Sequence, residues 1–277
     1  MHDQASRLRN LVRRSLWTAD SGAALPRVVA VAGGKPGSGC TTVAINVAAA
    51  IAQQGWRTVL IDADRQHPEI AARLNLTAQR TLSDTLAGNC DIHEAVLAAP
   101  AGLQVVAGSA VSEAAASFSS GSPSIQPLLA ALAPHTDLVL ADVGSATDDW
   151  AQHLWNEAER VLLVTAADSP AIMESYATLK SVWRRGMTAA VQVLVNHEQD
   201  GTIGADVHGR LDRSCRRFLN LALEPGPGLP YSPALLSPGT SRPVVGADHA
   251  LPIGTTFERL AEALVCPAVT LSHRPAA

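Results

Sequence analysis

The segment Gly34-Lys35-Pro36-Gly37-Ser38-Gly39-Cys40-Thr41-Thr42 constrains this chain more than any other stretch. It follows the phosphate-loop spacing G-x-x-x-x-G-K-[ST] at every position but one, because Cys40 stands where the lysine belongs. In such a loop the glycines let backbone N–H groups converge on phosphate oxygens, and the following helix adds the positive end of its dipole. Both contributions remain here. The ammonium that would neutralise β- and γ-phosphate charge is missing, which puts catalysis in question. The context is the one a phosphate loop requires: Arg27 to Ala32 is a continuous apolar run expected of a buried parallel strand, and Thr41 to Gln54 carries Val43, Ile45, Val47 and Ile51 at helical positions. The alternative is a glycine-rich turn that merely joins strand to helix in a pseudo-enzyme, and Cys40 keeps that reading open.

The alternation of strand and helix patterns continues downstream. Thr58 to Ile61, Leu103 to Val106, Leu138 to Ala141, Val161 to Val164 and Val191 to Val195 read as buried strands. Helical patterns at Gln126 to Leu132, Asp149 to Ala158, Ala171 to Arg185 and Asp206 to Leu221 separate them. This implies an α/β fold, a mostly parallel sheet with helices on both faces. Ala114 to Ser124, rich in Ser, Ala and Gly, reads as a mobile loop, and the proline-rich stretch Glu224 to Pro252 as an irregular surface excursion. At 277 residues and 47% hydrophobic, the chain suits one large domain over residues 26–266, with a segment 1–25 before it and a flexible tail, 267–277, after it. A net charge of -4 argues against a general nucleic-acid-binding surface, so no specific nucleic acid is expected. No signal peptide or membrane span is evident, so a cytoplasmic location is expected. The four cysteines and nine histidines show no metal-ligand spacing, and the thiols are expected to be reduced.

Three aspartates carry the candidate chemistry. Leu60-Ile61-Asp62-Ala63-Asp64 ends a strand with two acids on one face, at the sheet edge where they could organise Mg²⁺ and an attacking water. Asp142 closes Leu138 to Ala141 and precedes Val143-Gly144, the pattern of an acid that holds a metal-bound water. Thr41 is placed to ligate Mg²⁺ through its hydroxyl. Any one aspartate at a strand end could instead cap a helix or shape a turn. Three in this order favour the metal reading.

Together, Gly34 to Gly39, Asp62-Ala63-Asp64 and Asp142-Val143-Gly144 resemble the MinD/ParA class of P-loop ATPases, whose fold is a three-layer sandwich and whose loop carries an additional signature lysine. Lys35 stands at that position. The resemblance implies that Lys35 reaches across an ATP-dependent homodimer to the partner's phosphates, and that Asp64 positions the hydrolytic water. It implies ATP held by Gly34, Pro36, Gly37, Ser38, Gly39, Cys40, Thr41 and Thr42, with Mg²⁺ at Thr41, Asp62 and Asp142. Asn196, at a strand end, is similar to the family's adenine-contacting asparagine. The departures are Pro36, usually glycine, and Cys40; proline removes an N–H donor and cysteine supplies no positive charge. Arg65 is a candidate replacement cation.

A narrower resemblance covers nearly the whole chain. Asp3-Gln4-Ala5-Ser6-Arg7-Leu8-Arg9 matches D-Q-A-x-x-L-R, the activator motif of the FlhG (FleN, YlxH) family, and Val164 to Lys180 and Arg217 to Asn220 are similar to further segments of it. That family controls flagellar number and placement and acts on the FlhF-type GTPase. The resemblance assigns Asp3, Gln4, Ala5, Leu8 and Arg9 to partner binding. Leu8, Leu11, Val12 and Leu16 recur at helical spacing among arginines, which suits an amphipathic helix on a partner's groove or, alternatively, a basic tail. Phe257 to Val265 is helical but short and not basic, so it reads as domain packing, with weak or absent membrane association. The rival functions are a nucleotide-independent pseudo-ATPase scaffold and a positioning ATPase for another cargo, such as a plasmid, chromosome or division machinery. A bacterial tyrosine kinase is disfavoured because the chain holds only Tyr176 and Tyr231, and a cluster-bridging iron protein because no paired cysteines stand near Asp142.

Overall fold

Continuous apolar runs can be buried on both faces only inside a sheet covered by helices on each side, and that is how the chain folds. The computed structural model describes residues 24–110, 124–198, 202–235, 243 and 251–266. Its sheet contains β1 (Arg27–Gly33), β2 (Thr58–Asp62), β3 (Val96–Ala98), β4 (Gln104–Val106), β5 (Leu138–Gly144), β6 (Arg160–Ala166), β7 (Ala190–Glu198) and β8 (Glu224–Pro230). They lie in the order β3-β4-β2-β5-β1-β6-β7-β8. Every pairing is parallel except β3 with β4.

Alternation of side chains along the strands divides the core in two. One half sets Val29, Val31, Leu60, Leu140 and Leu162 against α1 (Cys40–Gln53) and the C-terminal helix. The short helix α2 (Ile70–Arg73) packs there through Ile70. Two further short helices, α3 (Leu82–Leu86) and α4 (Ile92–Ala95), each start with a capping box. The other half sets Val28, Ala30, Ile61, Val139 and Val161 against α5 (Gln126–Leu132), α6 (Asp149–Glu157), α7 (Ser169–Arg184) and α8 (Ile203–Leu219). Asp148 and Asp168 cap α6 and α7, each accepting a backbone N–H three residues on. The last helix, α9 (Pro252–Val265), buries Phe257, Leu260 and Leu264 beside α1, as expected of a packing helix.

The stretch from Glu224 is a correction. Its first seven residues form β8, paired in parallel with β7 from Gln192↔Glu224 to Glu198↔Pro230. Prolines are tolerated because β8 lies at the edge of the sheet, where one row of N–H groups has no strand to meet. Gly226 brings it close, since a Cβ there would lie 2.5 Å from the Val193 carbonyl oxygen. The expected loop at Ala114 to Ser124 lies, up to residue 123, outside the described residues, as do the N-terminal motif and the tail from residue 267.

Candidate nucleotide site

The glycine loop turns from β1 into α1 at the carboxyl edge of the sheet. Gly37 and Gly39 have φ of 76° and 92°, the left-handed region that only glycine enters freely. Gly34 donates its N–H to Val164 O at 3.0 Å and presses on α7, where a Cβ would come within 2.0 Å of Ser175 Oγ. The first turn of α1 has no acidic residue and no capping side chain of its own.

Above the loop opens a cavity of about 590 Å³, within the range of small-molecule sites. Lys35, Pro36, Gly37, Ser38, Gly39, Cys40, Thr41, Thr42, Asp64 and Asn196 line it. Gly34, Asp62 and Asp142 are not on its wall and lie deeper.

Cys40 points down into the protein. Its Sγ lies 3.0 Å from Asp142 Oδ1 and 3.3 Å from Val31 O, and the residue is buried. Burial, and then the charge of Asp142, push the thiol well above its usual range, so it is protonated and donates to that carboxylate. Asp142 also accepts the Gly144 N–H at 3.2 Å, and burial raises its own pKa. It stands opposite Asp62 in the register of β5 with β2. Asp62 accepts the Ile70 N–H at 3.0 Å, while burial pushes its carboxyl up to about 7. Asp64 Oδ1 accepts the N–H groups of Gln66 and His67, both at 2.9 Å, and Oδ2 lies where a Cβ on Gly144 would stand. Asp62 and Asp64 therefore also shape the turn that follows β2.

Three buried polar atoms in this region have no hydrogen-bond partner within the protein: Ser38 Oγ, Asp62 Oδ1 and Asp142 Oδ2. Buried polar atoms are costly unless a ligand, ion or water meets them, and carboxylate oxygens are hard donors of the kind Mg²⁺ takes. Among the described residues, no three His, Cys, Asp or Glu side chains are grouped to hold a metal by themselves. A Mg²⁺ here would complete its shell with phosphate oxygens and water.

Lys35 is engaged with Asp168, its Nζ 3.2 and 3.3 Å from the two carboxylate oxygens. The Ala171 N–H and Lys35 hold Asp168 below the usual carboxylate range. Asn196 donates its amide to Ser38 O at 2.9 Å and accepts the His197 N–H, so it ties β7 to the loop. Arg65, the candidate replacement cation, does not line this cavity; it lines a much smaller one with Asp62, Asp64, Ser83 and Ser109, and Asp64 is common to both. Ser145, His197 and Ser232 also line the main cavity, as do His67, Glu69 and Arg73, which the turn after β2 and helix α2 bring there; the sequence singled out none of the six for the site.

A parallel sheet with its glycine loop, helix N-terminus and edge carboxylates defines a P-loop nucleotide-binding fold. The family model of the AAA domain matches residues 26–173. The antiactivator FleN of Pseudomonas aeruginosa is 31% identical over 214 residues, 74% of either chain. The flagellum site-determining protein YlxH of Helicobacter pylori is 23% identical over 183 residues, 65% of this chain and 62% of that one. In fold, the cell division ATPase MinD of Pyrococcus furiosus superposes with a TM-score of 0.69 at 20% identity, over 87% of this chain and 98% of that one. MinD of Pyrococcus horikoshii complexed with Mg-ADP gives 0.68 at 19% identity, over 87% and 96%. The chain belongs to the FlhG/FleN-like branch of the MinD/ParA family of P-loop ATPases. Among the described residues, no helix is long and apolar enough to cross a membrane.

Proposed function

We propose that this chain is a cytoplasmic FlhG-like regulator of flagellar number or placement that binds Mg²⁺-ATP weakly and hydrolyses it slowly or not at all. The observation that carries the reading is the position of Cys40: the loop amides and the helix dipole face an open cavity, while the side chain that replaces lysine turns away onto Asp142. The relatives named for antiactivation and flagellum site determination supply the flagellar part. Thr41, Asp62 and Asp142 would hold Mg²⁺, which when bound would screen phosphate charge. Lys35 would leave Asp168 for the phosphates of a second copy, giving an ATP-dependent dimer, and Asn196 would face the base. Asp64, fixed by two backbone N–H groups, would orient a water.

Residues 1–25 would act as a partner-binding segment, with Asp3, Gln4, Ala5, Leu8 and Arg9 engaging an FlhF-type GTPase, and residues 26–266 as the nucleotide domain. The test has two arms. The purified chain should hydrolyse ATP far below the rate of a lysine-bearing relative, and a peptide of residues 3–16 should stimulate the GTPase. Family-normal ATP turnover would refute impaired hydrolysis, and a peptide without effect would refute the partner assignment. The same Cys40 contact favours a second reading, a nucleotide-independent scaffold, since it leaves the carboxylates with a neutral partner where a cation would be expected.

A further inference from the structure

The cavity wall carries a second cation. Lys35 and Arg73 are the lysine and arginine that line it among the described residues, and Lys35 is already paired with Asp168. Arg73 ends α2, four residues after Glu69, and its Nη2 and Nε lie 2.6 and 2.9 Å from Glu69 Oε2. Glu69 lines the same cavity.

What brings Arg73 there is the aspartate motif. Asp64 Oδ1 takes the N–H groups of Gln66 and His67, and Asp62 Oδ2 takes that of Ile70, whose side chain is fully buried. The two carboxylates thus fasten residues 66–70 to the edge of the sheet, and the single turn that follows carries Arg73 against the cavity that Cys40, Thr41 and Thr42 also line.

We propose that Arg73 supplies, within the same chain, the positive charge that the loop lacks at Cys40, by exchanging Glu69 for a phosphate oxygen of the bound nucleotide. This rests on the nucleotide reading above. The exchange is feasible because both partners are about half exposed, and a pair so placed in a helical i,i+4 arrangement is held weakly. The guanidinium is always charged, and its planar fork matches phosphate oxygens two at a time, which an ammonium does not. Cys40 has no charge to offer and Lys35 is held by Asp168, so Arg73 is the other cation on the wall that a phosphate group entering the cavity can meet.

The test is calorimetric titration of the full chain with Mg²⁺-ATP and with adenosine, comparing wild type with Arg73→Ala, Arg73→Lys and Glu69→Gln. Arg216→Ala, which removes an arginine paired i,i+4 on α8 and lining neither cavity, is the control. Loss of a charge-assisted contact should weaken Mg²⁺-ATP about ten- to hundredfold in Arg73→Ala. Adenosine binding should be unchanged, Arg73→Lys should fall between, and Glu69→Gln should tighten Mg²⁺-ATP. Arg73→Ala binding Mg²⁺-ATP as wild type does, or losing adenosine and ATP alike, would overturn the assignment of Arg73 while leaving the nucleotide reading in place. A wild type that binds no Mg²⁺-ATP would overturn both.

Discussion

Asp62→Asn probes the charge balance under the phosphate loop. Asp62 and Asp142 are register partners on β2 and β5, both buried, with Asp64 nearby and the neutral Cys40 thiol where a cation would be expected. Burial raises the Asp62 carboxyl from 3.8 to about 7; the Ile70 N–H opposes this, and the charges of Asp142 and Asp64 add to it. An acid whose pKa is higher in the folded state holds its proton more tightly there than in the unfolded chain. The stability it contributes is therefore full below the unfolded value near 3.8 and is lost as pH rises toward 7. Taking about 1.36 kcal/mol per unit, raising the pH from about 5.5 to about 8 should remove about 2 kcal/mol. Urea unfolding of the metal-free protein across that range measures it. Asparagine keeps an oxygen for the Ile70 N–H and removes the charge, so Asp62→Asn should flatten the dependence and be the more stable protein at the upper end. Equal slopes in the two proteins, or a wild type that gains stability with rising pH, would refute the reasoning.

Three further outcomes follow from packing. Gly34→Ala places a methyl 2.0 Å from Ser175 Oγ and 3.0 Å from its Cα, so it should cost about 1–3 kcal/mol in urea unfolding, and Ser175→Ala should not restore it fully because the helix backbone remains in the way. Phe257→Ala empties a fully buried position between α9 and α1 and should cost about 3–5 kcal/mol. If α9 is a domain helix, the wild type should also show little affinity for anionic vesicles, measured by co-sedimentation.

How much of this was legible in the sequence depended on how local the cause was. β1, β2, β5, β6 and β7 are continuous apolar runs because the sheet is covered on both faces, and they stand where the pattern placed them. β8 was hidden because its prolines and glycines are turn signals, and only its position at the sheet edge makes them compatible with a strand. β3 has three residues, too few to establish a period. The Cys40 substitution was visible at once, but its partner Asp142 lies 102 residues away and is known only from the register of β5 beside β1. Arg65 stood out over Arg73 because it follows the aspartates directly. The hydrogen bonds of those aspartates to residues 66, 67 and 70 turn the chain so that Arg73, not Arg65, meets the main cavity.

The loop keeps its glycine turn and helix N-terminus, and at Cys40 it lacks a charge. Calorimetric titration of the full chain with Mg²⁺-ATP, beside Cys40→Lys, tests this most directly. Wild type should bind weakly and Cys40→Lys about ten- to hundredfold more tightly, the effect of restoring one charge-assisted contact. Wild-type binding as tight as that of the lysine variant, or no binding by either protein, would contradict this.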